Sequence, residues 1–296
     1  MKIGTCWHEE RRQIFVVQGE DAVLPRYGGL AESSNSLLSV IARGAQAFLE
    51  VAACADRAPA QSNVPLNELL ILPPIPRPSK NVICLGWNYS EHIKESAQAS
   101  GRGDELPEYP VVFTKSPTAV IGSGGKVPYD KTVTEQLDWE VELGVIIGRG
   151  GKGISRSRAL EHIVGYTIIN DLSARDLQFR HKQFFIGKSL DGSCPIGPWM
   201  VTADEIKDPH DLDLKCWVNG VVKQDSNTRY MIFDIPSIIE TLSRGMTLEP
   251  GDIIATGTPS GVGFARQPPE FLRPGDTVVC EIQSIGKLSN TIADNR

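Results

Sequence analysis

The segment LDWEVELGVIIG (residues 137–148) places Glu140 and Glu142 two residues apart. On a strand both then point to one face while Trp139, Val141 and Leu143 point to the other. Two like charges on one face repel unless solvent screens them or a cation lies between them. A solvated strand face carrying such a pair by chance is the plainer alternative. Downstream, the apolar run of YTIIND ends on Asp171, where a strand end delivers a side chain into a site. Three carboxylates on rigid strands form a hard oxygen cage, which suits Mg²⁺, Mn²⁺ or Ca²⁺ better than zinc. Mg²⁺ in particular keeps waters that a chelating ligand displaces.

A second constellation lies in GWNYSEHIKESAQ, where His92 and Glu95 are three apart. Helical spacing puts them on one face, and a carboxylate beside an imidazole raises its basicity and fixes its tautomer. That pair is a candidate general base for water; an ordinary surface pair on a soluble helix is the competing reading. The segment ESAQASGRGDELPEYP that follows is polar and poor in apolar anchors, and is expected to form a mobile lid. Lys188, among the apolar residues of FFIGKSLDG, is a candidate to stabilise a developing enolate or carboxylate. In ATGTPSGVG, glycines at 257, 261 and 263 let backbone amides and the Thr258 hydroxyl approach a ligand closely, although a plain hairpin connection fits as well.

The elements that must carry these groups are short. Apolar runs of about four to eight residues recur between turn signals: NVICLGWN, PVVFTK, WEVELGVIIG, YTIIND, LKCWVNG, GDIIATG and GDTVVCEI. Beyond residue 79 helical patterns are expected only at 89–100, in RSRALEHIVG near 160 and in FDIPSIIETLSRG near 240. Many strands without regular βα alternation predict a β-rich α+β fold. Four prolines in ILPPIPRPSK (71–80) mark a linker or stiff crossing strand. They divide a small α+β N-terminal domain with its linker, residues 1–78, from a catalytic domain, residues 79–296. The N-terminal part has strand-like IFVVQG and a helical stretch, SSNSLLSVIARGAQAFLEVAACA.

A rival motif is GRGGKG at 148–153, which matches the GxGxxG of a dinucleotide-binding turn and has Asp171 about twenty residues on. Against an NAD-binding oxidoreductase stand two acids on what would be a doubly buried first strand, and the absence of a continuing βα pattern after Asp171. The formal net charge of −6 disfavours a nucleic-acid or anionic-membrane partner and leaves a small molecule. Six scattered cysteines without short metal spacing read as reduced thiols. With no stretch near the roughly 20 apolar residues of a membrane span, a cytoplasmic protein is expected.

Across residues 79–296 the chain resembles the fumarylacetoacetate hydrolase family. The resemblance rests on GWNYSEHIKE, FTKSP, DWEVELGVIIG, GYTIINDLSARDLQ, GKSLDGSCPIGPW, LEPGDIIATGTPSGVG and PGDTVVCEIQSIGKLSN, in that order. It implies a catalytic domain of rolled, sandwich-like mixed sheets that forms a homodimer. It also implies Mg²⁺ or Mn²⁺ held by Glu140, Glu142 and Asp171, and His92 with Glu95 as a lid dyad activating water. Lys188 matches the site lysine, Gln178 and Thr258 match substrate contacts, and Arg175 matches a residue orienting the cluster. The expected activity is metal-dependent hydrolysis of a C–C bond in an acylpyruvate or 2,4-dioxo acid, a small oxo acid of the fumarylpyruvate type. The alternatives within the family are decarboxylation of oxaloacetate-like acids and isomerisation of 2-hydroxydienoates, all proceeding through an enolate.

Overall fold

The computed structural model describes residues 1–101 and 103–294. Its N-terminal elements are β1 (Lys2–His8), β2 (Arg11–Gln18), β3 (Asp21–Val23), α1 (Leu37–Arg43), α2 (Ala45–Arg57), β4 (Val64–Pro65) and β5 (Leu70–Leu72). There follow β6 (Val82–Gly86), α3 (Ser90–Ser100), β7 (Val111–Lys115), β8 (Val120–Ile121), β9 (Lys126–Tyr129), β10 (Leu137–Asp138), β11 (Val141–Ile147) and β12 (Ile163–Asn170). The chain continues through β13 (Ser173–Ala174), α4 (Arg175–Arg180), α5 (Phe185–Lys188), β14 (Cys194–Thr202), β15 (Asp213–Val218) and β16 (Val221–Asn227). It closes with α6 (Ile235–Gly245), β17 (Ile253–Ala255), β18 (Thr277–Ile282) and β19 (Gly286–Asp294).

The fold is a strand-rich α+β architecture. One large mixed sheet runs β4-β3-β2-β1-β14-β12-β11-β17-β6-β7, with β5 on β1 and β8 on β14; a second has the order β16-β15-β18-β19-β9. Strand β11 shows how the sequence builds the layers. Val141, Leu143, Val145 and Ile147 pack on one face, toward β15, β18 and α6, while Ile146 packs on the other among residues of α1 and α2. Every residue of β11 is buried, as expected for a strand covered on both sides. Helix α6 buries Ile235, Ile238, Ile239 and Leu242, the i, i+3, i+4, i+7 stripe of an amphipathic helix. Its N-cap is Asp234, whose side chain accepts the Ser237 amide at 2.9 Å.

All seven expected strand runs form. The N-terminal helical stretch forms as two helices, because Gly44 adopts φ +76° between them. The proline run is a buried crossing: Ile75 is 2% exposed and the Thr5 hydroxyl donates to the Pro74 carbonyl. Strand β1 pairs with β14, so the N-terminal strands and those after residue 79 share one sheet.

Two helical expectations need correction. RSRALEHIVG gives a 3₁₀ turn at Arg156–His162, and its last residues open β12, because the His162 carbonyl takes the Gly148 and Arg149 amides and draws the chain into the sheet. Helices also form where none is expected, α4 and α5 in the stretch after Asp171. At six and four residues they are far below the roughly 12–15 residues an autonomous helix needs, and they exist through tertiary contacts such as the Arg175 amide to the Gln136 carbonyl. Of the expected lid, α3 is formed and residues 103–110 are largely exposed; Arg102 lies outside the described residues.

The GRGGKG turn does not offer its amides to a phosphate. Gly148 donates to His162, Gly151 to Leu248 and Gly153 to Ser243, and β12 returns antiparallel to β11 where a dinucleotide unit needs a parallel strand. Among the described residues no helix is long and apolar enough to cross a membrane.

Candidate active site

The ladder between β11 and β12 sets the acidic cluster. Val141 pairs with Asn170, the Asp171 amide donates to the Glu140 carbonyl at 2.9 Å, and Asn170 Oδ1 accepts the Glu140 amide. Glu140 and Asp171 are therefore held side by side, and Glu142 follows one pleat later. Carboxylate oxygens of the three lie within 4.8 Å of one another, and all three residues are buried.

Three cations interlock with the cluster. Lys188 Nζ lies 2.7 Å from both Glu140 Oε2 and Asp171 Oδ2. Lys115 Nζ is 2.7 Å from Asp171 Oδ1 and donates to the Leu172 carbonyl. Arg175 spreads its fork over three partners: Nε to Asp138 Oδ2 at 2.9 Å, one terminal nitrogen to Glu140 Oε1 at 2.6 Å, the other to Gln178 Oε1 at 3.0 Å. Asp138, Glu140, Glu142 and Asp171 thus face Lys115, Arg175 and Lys188, four buried carboxyl groups against three buried cations, an excess of one negative charge when all four are ionised.

The electrostatics divide the cluster. Burial works against ionisation of Glu140, but Lys188 and Arg175 outweigh it and hold the carboxyl well below the usual range. Burial and the neighbouring Asp171 and Glu140 push Glu142 the other way, well above its ordinary value, with the Gly257 amide at 2.8 Å only partly offsetting them. A buried carboxyl crowded by two of its own sign is what a site built around a missing positive charge looks like. With an all-oxygen donor set, these residues fit a hard divalent cation.

Burial opposes the charged Lys188 ammonium, yet Asp171 and Glu140 raise its proton affinity above the ordinary value, so it remains a cation. Helix α3 lies across the cluster and brings His92 Nδ1 to 2.9 Å from Glu95 Oε1. Glu95 is in turn fixed by the Gly261 amide at 2.8 Å. The helix is anchored at its start by Asn88, whose side chain takes the Phe233 amide and donates to the Thr256 carbonyl.

One loop ties these parts together. From Gly257 to Phe264 its amides go to Glu142 (Gly257), to Glu95 (Gly261) and to Asp138 (Gly263 at 2.7 Å, Phe264 at 3.0 Å). The glycines are required locally: Gly261 has φ +104°, and a Cβ there would sit 2.1 Å from the Lys223 carbonyl oxygen. Thr258 donates its hydroxyl to the Val141 carbonyl and accepts from Gln224. It presents a lone pair to the site, its proton being engaged.

The open side of the cluster is a cavity of about 800 Å³, counting its mouth. His92, Glu140, Arg175, Gln178, Lys188 and Thr258 reach its wall. Glu95 and Asp171 are joined to that wall through their bonds to His92 and Lys188, and Glu142 accepts the amide of Gly257, the residue before Thr258. The nine residues singled out in the sequence thus meet at one place. Lys115, Asp138, Asn88 and Gln224 were not singled out. The available signal was a lysine ending the strand VVFTK and an acid preceding the Glu140–Glu142 pair.

The site is an acidic oxygen cluster that could hold a metal ion, beside an imidazole–carboxylate pair, on a strand-rich α+β scaffold. Residues 81–293 match the model of the fumarylacetoacetate hydrolase C-terminal domain, and the chain belongs to that family of enzymes. It is 54% identical over 227 residues to the oxaloacetate tautomerase YisK of Bacillus subtilis, covering 77% of this chain and 74% of that protein. It is similar throughout to the solved fumarylacetoacetate hydrolase of Exiguobacterium antarcticum, with 39% identity, a TM-score of 0.84 and all of both chains covered. It also resembles a maleylpyruvate hydrolase from Sphingobium sp. SYK-6 solved with manganese(II) and pyruvate, at 27% identity and a TM-score of 0.78, again over all of both chains.

Proposed function

We propose that this chain is a divalent-metal-dependent tautomerase of an oxaloacetate-like 2-oxo acid. The reading rests on one observation: three convergent buried carboxylates, of which Glu140 reaches the cavity wall, lie beside an imidazole on that wall whose orienting carboxylate is itself fixed by a backbone amide. It reverses the order of the expectations from sequence, which put C–C bond hydrolysis first. The name of the Bacillus subtilis relative supports the reversal.

Glu140, Glu142 and Asp171 would hold Mg²⁺ or Mn²⁺. Bound there, the ion supplies a Lewis acid that polarises the 2-oxo group of the substrate. His92 does the proton transfer. Its Nδ1–H donates to Glu95 Oε1, which leaves Nε2 as the atom that takes a proton from C3 or returns it. Lys188, a buried ammonium on the cavity wall, offsets negative charge as it develops on the oxygen at C2. Gln178 has its carbonyl occupied by Arg175 and turns its amide N–H groups to the substrate. The proton count closes without water: the C2–C3 double bond of the enol becomes C2=O as a proton leaves the oxygen and one arrives at C3.

Hydrolysis is the second reading, because the same dyad can deprotonate a water. One assay separates them. Purified protein with Mg²⁺ or Mn²⁺ is expected to accelerate decay of enol-oxaloacetate to the ketone, with EDTA abolishing the effect and the carbon skeleton intact by NMR. Enol decay no faster than with metal alone, together with cleavage of an acylpyruvate to pyruvate, would overturn tautomerisation in favour of hydrolysis.

A further inference from the structure

The walls of the cavity beyond the acidic cluster are aromatic. Trp87 and Phe184 meet edge to face with centroids 6.0 Å apart, and Phe184 meets Phe113 at 5.5 Å. A second group, Phe179 with Phe264, meets at 5.3 Å. Leu85, Ile93 and Ala97 line the same cavity. A four-carbon dicarboxylate has no use for such walls, and its far carboxylate finds poor company. The cations lining the cavity among the described residues are Arg175 and Lys188. Every guanidinium nitrogen of Arg175 is already engaged, and Lys188 is shared between two carboxylates. Glu105, exposed where the lid segment borders the cavity, adds charge of the wrong sign.

We infer that the same site acts on a further class of substrate, 2-oxo acids that carry a flat uncharged ring on C3, and catalyses keto–enol interconversion of arylpyruvates. The inference rests on the proposed function for its polar end, and takes from the aromatic walls what the rest of the substrate must be. Rings favour edge-to-face and offset packing on other rings, so the aromatic residues that line the cavity, Phe184 foremost, are the contacts for the aryl group. The chemistry balances as for oxaloacetate. The enol O–H proton leaves, C2=O forms, the C2–C3 π pair takes a proton at C3 through His92, and nothing is oxidised.

The test compares the Mn²⁺-loaded enzyme on enol-phenylpyruvate and enol-oxaloacetate, each followed by loss of the conjugated enol's ultraviolet absorbance. We expect kcat/KM for phenylpyruvate to equal or exceed that for oxaloacetate. Phe184→Ala should lower phenylpyruvate turnover about tenfold more than oxaloacetate turnover, Phe184→Leu should recover part of the loss, and Glu105→Lys should shift the ratio toward oxaloacetate. Melting curves identify a variant that is simply unfolded, and Phe264→Leu then serves in its place. If oxaloacetate is tautomerised and phenylpyruvate is not, the inference fails and the proposed function stands. If neither is, both fail. If the Phe184 and Phe264 variants leave the ratio unmoved, the aromatic walls do not select the substrate and the inference is overturned.

Discussion

At the scale of single residues, the proposed function gives His92 and Glu142 the chemistry that the rest of the site would serve. Replacing His92 by Ala removes the proton carrier while leaving the acidic cluster in place, and should cost about 10²–10⁴-fold in kcat with little change in metal affinity. Full turnover of every active substrate by that variant would exclude the dyad from catalysis. In the proposed metal site, Glu142 would set the pH dependence of binding. Because burial, Asp171 and Glu140 raise its proton affinity, a cation must displace a proton that an ordinary carboxyl would already have lost. Affinity for Mn²⁺ should therefore strengthen as pH rises through the raised value and weaken below it. Glu142→Gln should bind Mn²⁺ more weakly and with a flatter pH profile, both read by isothermal titration. An unchanged pH slope in that variant would place the linked proton elsewhere. The acids were legible in the sequence because a spacing of two on a strand has one geometric meaning. Lys115 and Asp138 were not. They act on the site through contacts 56 and 37 residues distant, to Asp171 and Arg175, and nothing local announces a long-range ion pair.

The element that integrates the site is the loop Gly257–Phe264, whose amides hold one carboxylate each from the acidic cluster, the dyad and the Arg175 anchor. Its hold depends on backbone conformations open to glycine. Gly261→Ala adds strain at φ +104° and a clash with the Lys223 carbonyl, so it should destabilise the protein by about 1–3 kcal/mol and release Glu95 from its amide. A fall in kcat larger than the change in metal affinity is the expected signature. Equal falls in both would mean that the loop acts on the cluster alone. Strands with uniform apolar runs declared themselves in the sequence, whereas β14 did not. CPIGPWMVT carries two prolines and a glycine, residues that disfavour a strand interior, and it is not among the expected strands, yet it is a central strand between β1 and β12. Neighbours on both sides overrode its local propensity. The same override made α4 and α5, which carry Arg175, Gln178 and Lys188.

For the whole molecule, the position of β14 joins the two ends of the chain's architecture. It pairs with β1 on one side and with β12, whose end carries Asp171, on the other. Residues on both sides of the proline crossing share one core: Ile3, Ile14, Val40 and Val51 pack with Ile146, Ile169, Ile196 and Ile253. Removing residues 1–78 would uncover those last four and leave an open strand edge at β14. Exposing an aliphatic side chain costs about 1.5–3 kcal/mol, so four of them cost roughly 6–12 kcal/mol, comparable with the whole stability of an ordinary domain at about 5–15 kcal/mol. The full chain should accordingly unfold in a single calorimetric transition. A chain cut to residues 79–296 should aggregate, or lose both its cooperative melt and its Mn²⁺ binding, since β12 would then be supported through a strand with one free edge. A truncated chain that melts cooperatively within a few degrees of the full protein and still binds Mn²⁺ would show instead that the strands after residue 79 are self-sufficient and that the N-terminal elements only cover them.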